Sequence, residues 1–81
     1  MKIVSIIRAK IIEDAQDEFF CAYDREDAIG TLSTLYTGGW HEAEICMVTK
    51  RDKKLEEKIF DCEIGSDDEQ RLLRKYYNKQ T

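Results

Sequence analysis

Few residues in this chain have the types and spacing that chemistry requires. His41 is the only histidine. A carboxylate such as Glu42 or Glu44 that oriented its imidazole would make it a general base. No nucleophile is placed beside it, so it reads as an exposed or structural residue. Cys21, Cys46 and Cys62 stand 25 and 16 residues apart with no CxxC pair, which excludes a zinc knuckle or a redox dithiol as the reading of choice. They are expected to be reduced, buried thiols. The adjacent acids Asp67-Asp68 and Glu56-Glu57 point different ways and belong to no loop of alternating oxygen ligands. Gly38-Gly39 is followed by Trp40 rather than by Lys and Ser or Thr, so no phosphate loop is present. No catalytic residue, metal site or cofactor is expected, and the chain reads as a non-enzyme.

What remains is charge and one tryptophan. From Glu13 to Asp27 there are seven acids and a single base, Arg25. From Arg71 to Lys79 there are four bases and no acid, and Lys50–Lys54 adds four bases against Asp52. Two functions follow. In the first, Trp40 is an apolar anchor on a loop, and Asp14, Asp17, Glu18 and Glu26 steer a partner protein, because opposite charge raises association rates and selects partners. The protein is then an inhibitor or regulator that blocks a partner's surface. In the second, Lys50, Arg51, Lys53, Lys54, Arg71, Arg74 and Lys75 meet RNA phosphates, with Tyr76 or Tyr77 stacking on a base. The structural alternatives are that Trp40 closes the core, the tyrosines are core, and the charges are solvated or complement helix dipoles.

The composition bounds both. The 81 residues carry 13 basic and 17 acidic side chains, a net charge of −4, 42% apolar residues and no proline. That suits one small domain whose thin core would gain from association, such as a homodimer. The acidic total counts against general nucleic-acid binding but leaves a local basic patch open. No run approaches the roughly 18 apolar residues of a membrane span. Met1–Ile12 is too short and too charged for a secretory signal. A cytoplasmic protein is expected.

The elements that must position these residues follow from periodicity. Lys2–Ile12 is rich in Val and Ile and reads as a strand with apolar residues on both faces, hence central or doubly covered. Glu18–Tyr23 reads as a second strand, paired antiparallel with the first across a short connection. Asp24 caps a helix whose apolar stripe is Ala28, Ile29, Leu32, Leu35 and Tyr36, stopped by Gly38-Gly39. Gly30 weakens it by about 1 kcal/mol relative to alanine. Glu42–Lys50 reads as a third strand and Arg51–Lys54 as a charged turn. Leu55–Ile64 fits either a helix face (Leu55, Ile59, Cys62) or a strand face (Phe60, Cys62, Ile64). The strict alternation favours a fourth strand over Lys58–Ile64. Ser66 and Glu69 form a capping box for a last helix with the stripe Leu72, Leu73, Tyr76 and Tyr77. The expectation is an α+β domain of order ββαββα, a four-stranded, mainly antiparallel sheet with two helices on one face.

In layout the chain resembles the small early proteins of T-even bacteriophages that bind and disable host defence or toxin proteins. The resemblance rests on Met1-Lys2-Ile3-Val4 opening into a strand, on Asp24-Arg25-Glu26-Asp27-Ala28 turning a strand into a helix, and on the Ile59–Glu63 run. It covers most of the chain without a diagnostic motif. It implies an antitoxin-like or anti-defence inhibitor with a host-protein target in the host cytoplasm, and it transfers no site residue.

Overall fold

The apolar residues of Ser5–Lys10, strand β1, point to both sides, and the fold is arranged around that fact. In the computed structural model, which describes residues 2–10, 15–40 and 42–81, β1 is the central strand of a three-stranded sheet. Strand β2 (Glu18–Ala22) pairs antiparallel on one side, with Ile7 opposite Phe20. Strand β3 (Glu42–Met47) pairs antiparallel on the other, with Ile7 opposite Ile45. The chain crosses from β2 to β3 through helix α1 (Arg25–Thr37) and ends in α2 (Lys53–Phe60) and α3 (Asp67–Gln80). The class is α+β. Ile11, Ile12, Glu13 and Asp14 lie outside the described residues, so the described first strand is shorter than Lys2–Ile12.

Two expectations are corrected. The fourth strand, Lys58–Ile64, does not form: Lys53–Phe60 is helical, and the order is ββαβαα. The Asp52 side chain accepts from Leu55 N at 3.1 Å, an N-cap at the start of what reads in sequence as a charged turn. Leu55 and Ile59, one turn apart, are both buried. Burying that pair outweighs an alternation of only a few residues. The helices also do not share one face. Ile7, Ala9 and Ala22 meet Ala28 and Leu35 of α1, whereas Ile3, Ile6 and Phe19 meet Leu55, Ile59, Leu73 and Tyr76 of α2 and α3. The two-sided apolar pattern of the first strand is what requires this.

Local chemistry explains where each helix stops and starts. Asp24 accepts from Asp27 N at 2.7 Å, and Asp27 accepts from Tyr23 N at 3.0 Å, a reciprocal cap for α1. Gly39, at φ 78°, turns the chain out of α1 in the left-handed region. The α1 stripe is narrower than the spacing suggests: Ala28 and Leu35 are buried, but Ile29 and Tyr36 are exposed. On α3, Ser66 accepts from Glu69 N, and the Glu69 carboxylate reaches back to Gly65 N.

The second layer is pinned by a carboxylate. Glu56 is 4% exposed, and its Oε1 accepts from Ile3 N at 2.8 Å and from Arg51 at 2.9 Å. Arg51 also donates to the Ile3 carbonyl at 3.2 Å. Tyr76 is fully buried, and its hydroxyl accepts from Asp52 N at 3.1 Å. Glu56→Ala, which strands both Ile3 N–H and Arg51, is expected to cost about 2–3 kcal/mol in urea unfolding, and Glu56→Gln, which keeps an acceptor, about 1 kcal/mol. Equal losses in the two variants would show that the ion pair with Arg51, rather than the bond accepted from Ile3 N, carries the effect. A Cβ at Gly30 meets nothing within 4 Å. Gly30→Ala should therefore stabilise the protein by about 0.5–1 kcal/mol, read as a higher urea midpoint at constant slope.

Candidate functional site

The residues singled out from sequence do not converge on one spot. Trp40 is half-buried and sits edge-on to Phe20, ring centres 5.7 Å apart, where α1 ends. Glu18 is exposed at the start of β2, two residues from Phe20 on the same face. Asp17 lies toward the other face, 3.7 Å from Arg8 and 3.9 Å from Lys10. Glu26 is exposed in the first turn of α1, at the far end of that helix from Trp40. Asp14 and His41 lie outside the described residues.

The basic residues are divided as well. Arg51 is committed to Glu56 and Ile3, and Arg71 sits 3.4 Å from Asp68. Arg74 lies over the Phe19 ring at 5.4 Å and reaches the Asp17 carbonyl, on the β2 side of α3. The loop containing Lys50 is instead held by the end of α3. Gln80 accepts from Thr49 N and Lys50 N, and Lys79 pairs with Asp52 at 2.7 Å. Lys53, Lys54 and Lys75 are exposed. Tyr76 is buried, and Tyr77 packs on Phe19 at 5.4 Å.

One surface gathers apolar and acidic groups that the linear reading kept apart. Along the outer edge of β2, a shallow depression of about 210 Å³ has Phe19, Cys21, Tyr23, Asp27, Ile64 and Glu69 on its walls. Ile64 is 96% exposed, and Tyr23 is exposed beside it. Glu26 lines an adjoining depression that shares Phe20, Asp27 and Thr31. Glu26 and Asp27 of the first turn of α1 and Glu69 of the first turn of α3 thus meet at the same edge. Sequence reading assigned Ile64 to the face of a strand. The usable signal was the other pattern, Leu55-Ile59-Cys62, which ends a helix before Ile64 and leaves it in the turn ahead of Gly65, where φ is 82°.

Two titratable groups at this surface are shifted by their surroundings. Burial pushes the Cys21 thiol above its ordinary pKa, and Glu69 and Asp27 push the same way against the bond it donates to Tyr23 at 3.4 Å. The Tyr23 phenol is raised too, by burial first and then by Cys21 and the two acids. Both shifts favour the neutral form. Among the described residues, no three His, Cys, Asp or Glu side chains come together as a metal ion would need. Nor is any described helix long and apolar enough to cross a membrane. Comparison of the chain with family models, curated proteins and solved structures finds no match.

Because the thiolate is the reactive form, alkylation of Cys21 should keep accelerating beyond pH 9.0, the ordinary value. Peptide-resolved labelling with iodoacetamide across a pH series measures this. A rate that levels off below that pH would mean that burial does not raise the Cys21 thiol.

Proposed function

We propose that the protein is a non-enzymatic, protein-binding inhibitor or regulator that acts by occupying the surface of its partner. The observation that carries this reading is Ile64, almost fully exposed beside Tyr23 and bordered by the acids of two helix starts. An apolar side chain held in water within a charged rim gains most when a partner covers it. The exposed acids Glu26 and Asp27 supply steering toward a basic partner. Of the residues expected from sequence, Glu26 belongs to this surface. Ile64 and Tyr23 take the anchoring role that sequence alone gives to Trp40. The resemblance to small phage early proteins extends the reading to a host defence or toxin protein as the target.

The test is capture from a bacterial lysate on the tagged protein, with and without ribonuclease. One dominant protein that survives ribonuclease is expected, with retention falling about tenfold in Ile64→Asp and in Glu26→Lys. Retention unchanged in both variants sinks this surface as the site. Material lost with ribonuclease, and lost again in Lys53→Glu, would move the function to RNA binding.

A further inference from the structure

The two edges of the sheet are finished differently. On β2, the outward main chain of Phe19 is bridged by the Gln70 side chain, which accepts from Phe19 N at 2.8 Å and donates to Phe19 O at 2.9 Å. On β3, the bond from Val48 N to Val4 O sets the alternation. The main chain of Glu42, Glu44 and Cys46 faces β1, and that of Ala43, Ile45 and Met47 faces outward. Beyond Met47, Gln80 takes the main chain of Thr49 and Lys50. Among the described residues, the only partner at the outward groups of Ala43, Ile45 and Met47 is a long thiol contact from Cys46 to the Met47 carbonyl, at 3.8 Å. The open edge therefore has Ile45 at its midpoint.

Its side chains match. Ile45 is 43% exposed and Met47 57%, and Ile29 of α1 beside them is 52% exposed. With Val4, Ser5 and Ala28, and with Asp24 and Arg25 at the start of α1, they line a mostly apolar groove of about 350 Å³. No lysine or proline guards β3; its exposed charges are Glu42 and Glu44, on the opposite face.

We infer that this edge pairs with β3 of a second copy of the chain, antiparallel about a two-fold axis at Ile45, into one six-stranded sheet. In this register Ile45 faces Ile45 of the second copy, Ala43 faces Met47, and each pair exchanges both main-chain hydrogen bonds. Charge selects it. Glu44, already paired with Arg8 at 2.8 Å, stands opposite Cys46, and Glu42 stands opposite Val48. A shift to an axis at Glu44 would set two carboxylates directly against each other. A shift toward Cys46 would bring Ala43 against Thr49, whose N–H Gln80 already holds. A self-complementary segment with its own midpoint fits a second copy better than an unrelated strand. This surface and the acidic one use opposite edges of the sheet and adjoin at the start of α1, where Asp24 and Arg25 line the one and Glu26 and Asp27 the other.

Sedimentation equilibrium on the full chain tests the pairing. A mass of twice 9.5 kDa is expected, with Ile45→Lys, which sets two ammonium groups across the axis, dissociating at least about tenfold more readily. Ile45 is exposed, and an unchanged far-ultraviolet spectrum confirms that the variant folds. Glu44→Cys reads the register, because the introduced thiol should form a disulfide with Cys46 of the second copy in oxidising buffer, resolved by peptide mass. A monomer at every concentration overturns the inference. So does a dimer indifferent to Ile45→Lys, or a dimer in which the introduced thiol links anywhere but Cys46.

Discussion

The central strand is apolar on both faces, and most of the structure follows from covering it. Ile6 and Ile7 are adjacent in sequence and fully buried on opposite sides. Alternation along a strand allows this only if both sides of the sheet are packed. With about 1.5–3 kcal/mol at stake for each large apolar side chain, a small domain cannot leave either side wet. Helix α1 covers one face, and α2 with α3 covers the other. The allotment is unequal. One helix of 13 residues cannot roof three strands, and it lies over β1 and β2. Ile45 and Met47 on β3 are left partly uncovered as a result.

The C-terminal helix does more than fill the second layer. Gln70 supplies the hydrogen bonds that a neighbouring strand would have given Phe19, and Gln80 does the same for the chain leaving β3. Tyr76 ties the start of α2 to the core through Asp52 N. Main-chain groups are thus satisfied by amide and phenol side chains where no strand is available. One edge of the sheet is capped at Phe19 by a dedicated side chain, while the other is open at Ile45.

How much of this was legible beforehand depends on whether a signal was local. The caps at Asp24 and Ser66, the stop at Gly38-Gly39 and the stripe Leu72-Leu73-Tyr76-Tyr77 are short-range patterns, and all are present. The double-faced first strand was legible too, yet the single-faced sheet drawn around it contradicted it. The segment Leu55–Ile64 carried two patterns at once. Sequence could not weigh the burial of Leu55 and Ile59 against the core formed by Ile3, Leu73 and Tyr76, which is a long-range term. The acidic residues were legible as charges but not as a surface. Glu26, Asp27 and Glu69 come together only because α1 and α3 both begin at the outer edge of β2.

The two proposed surfaces use opposite edges of the same sheet. The acids and Ile64 lie along β2, behind the Gln70 bridge. The open main chain and the apolar groove lie along β3, on the other side of β1. Pairing through β3 would therefore leave the acidic faces at the two ends of one extended sheet, free to meet a partner at each. It would also add free energy that rises with concentration to a domain whose own core is thin. A chain of this size has few ways to gain both rigidity and reach. Joining two sheets edge to edge supplies both without enlarging either core.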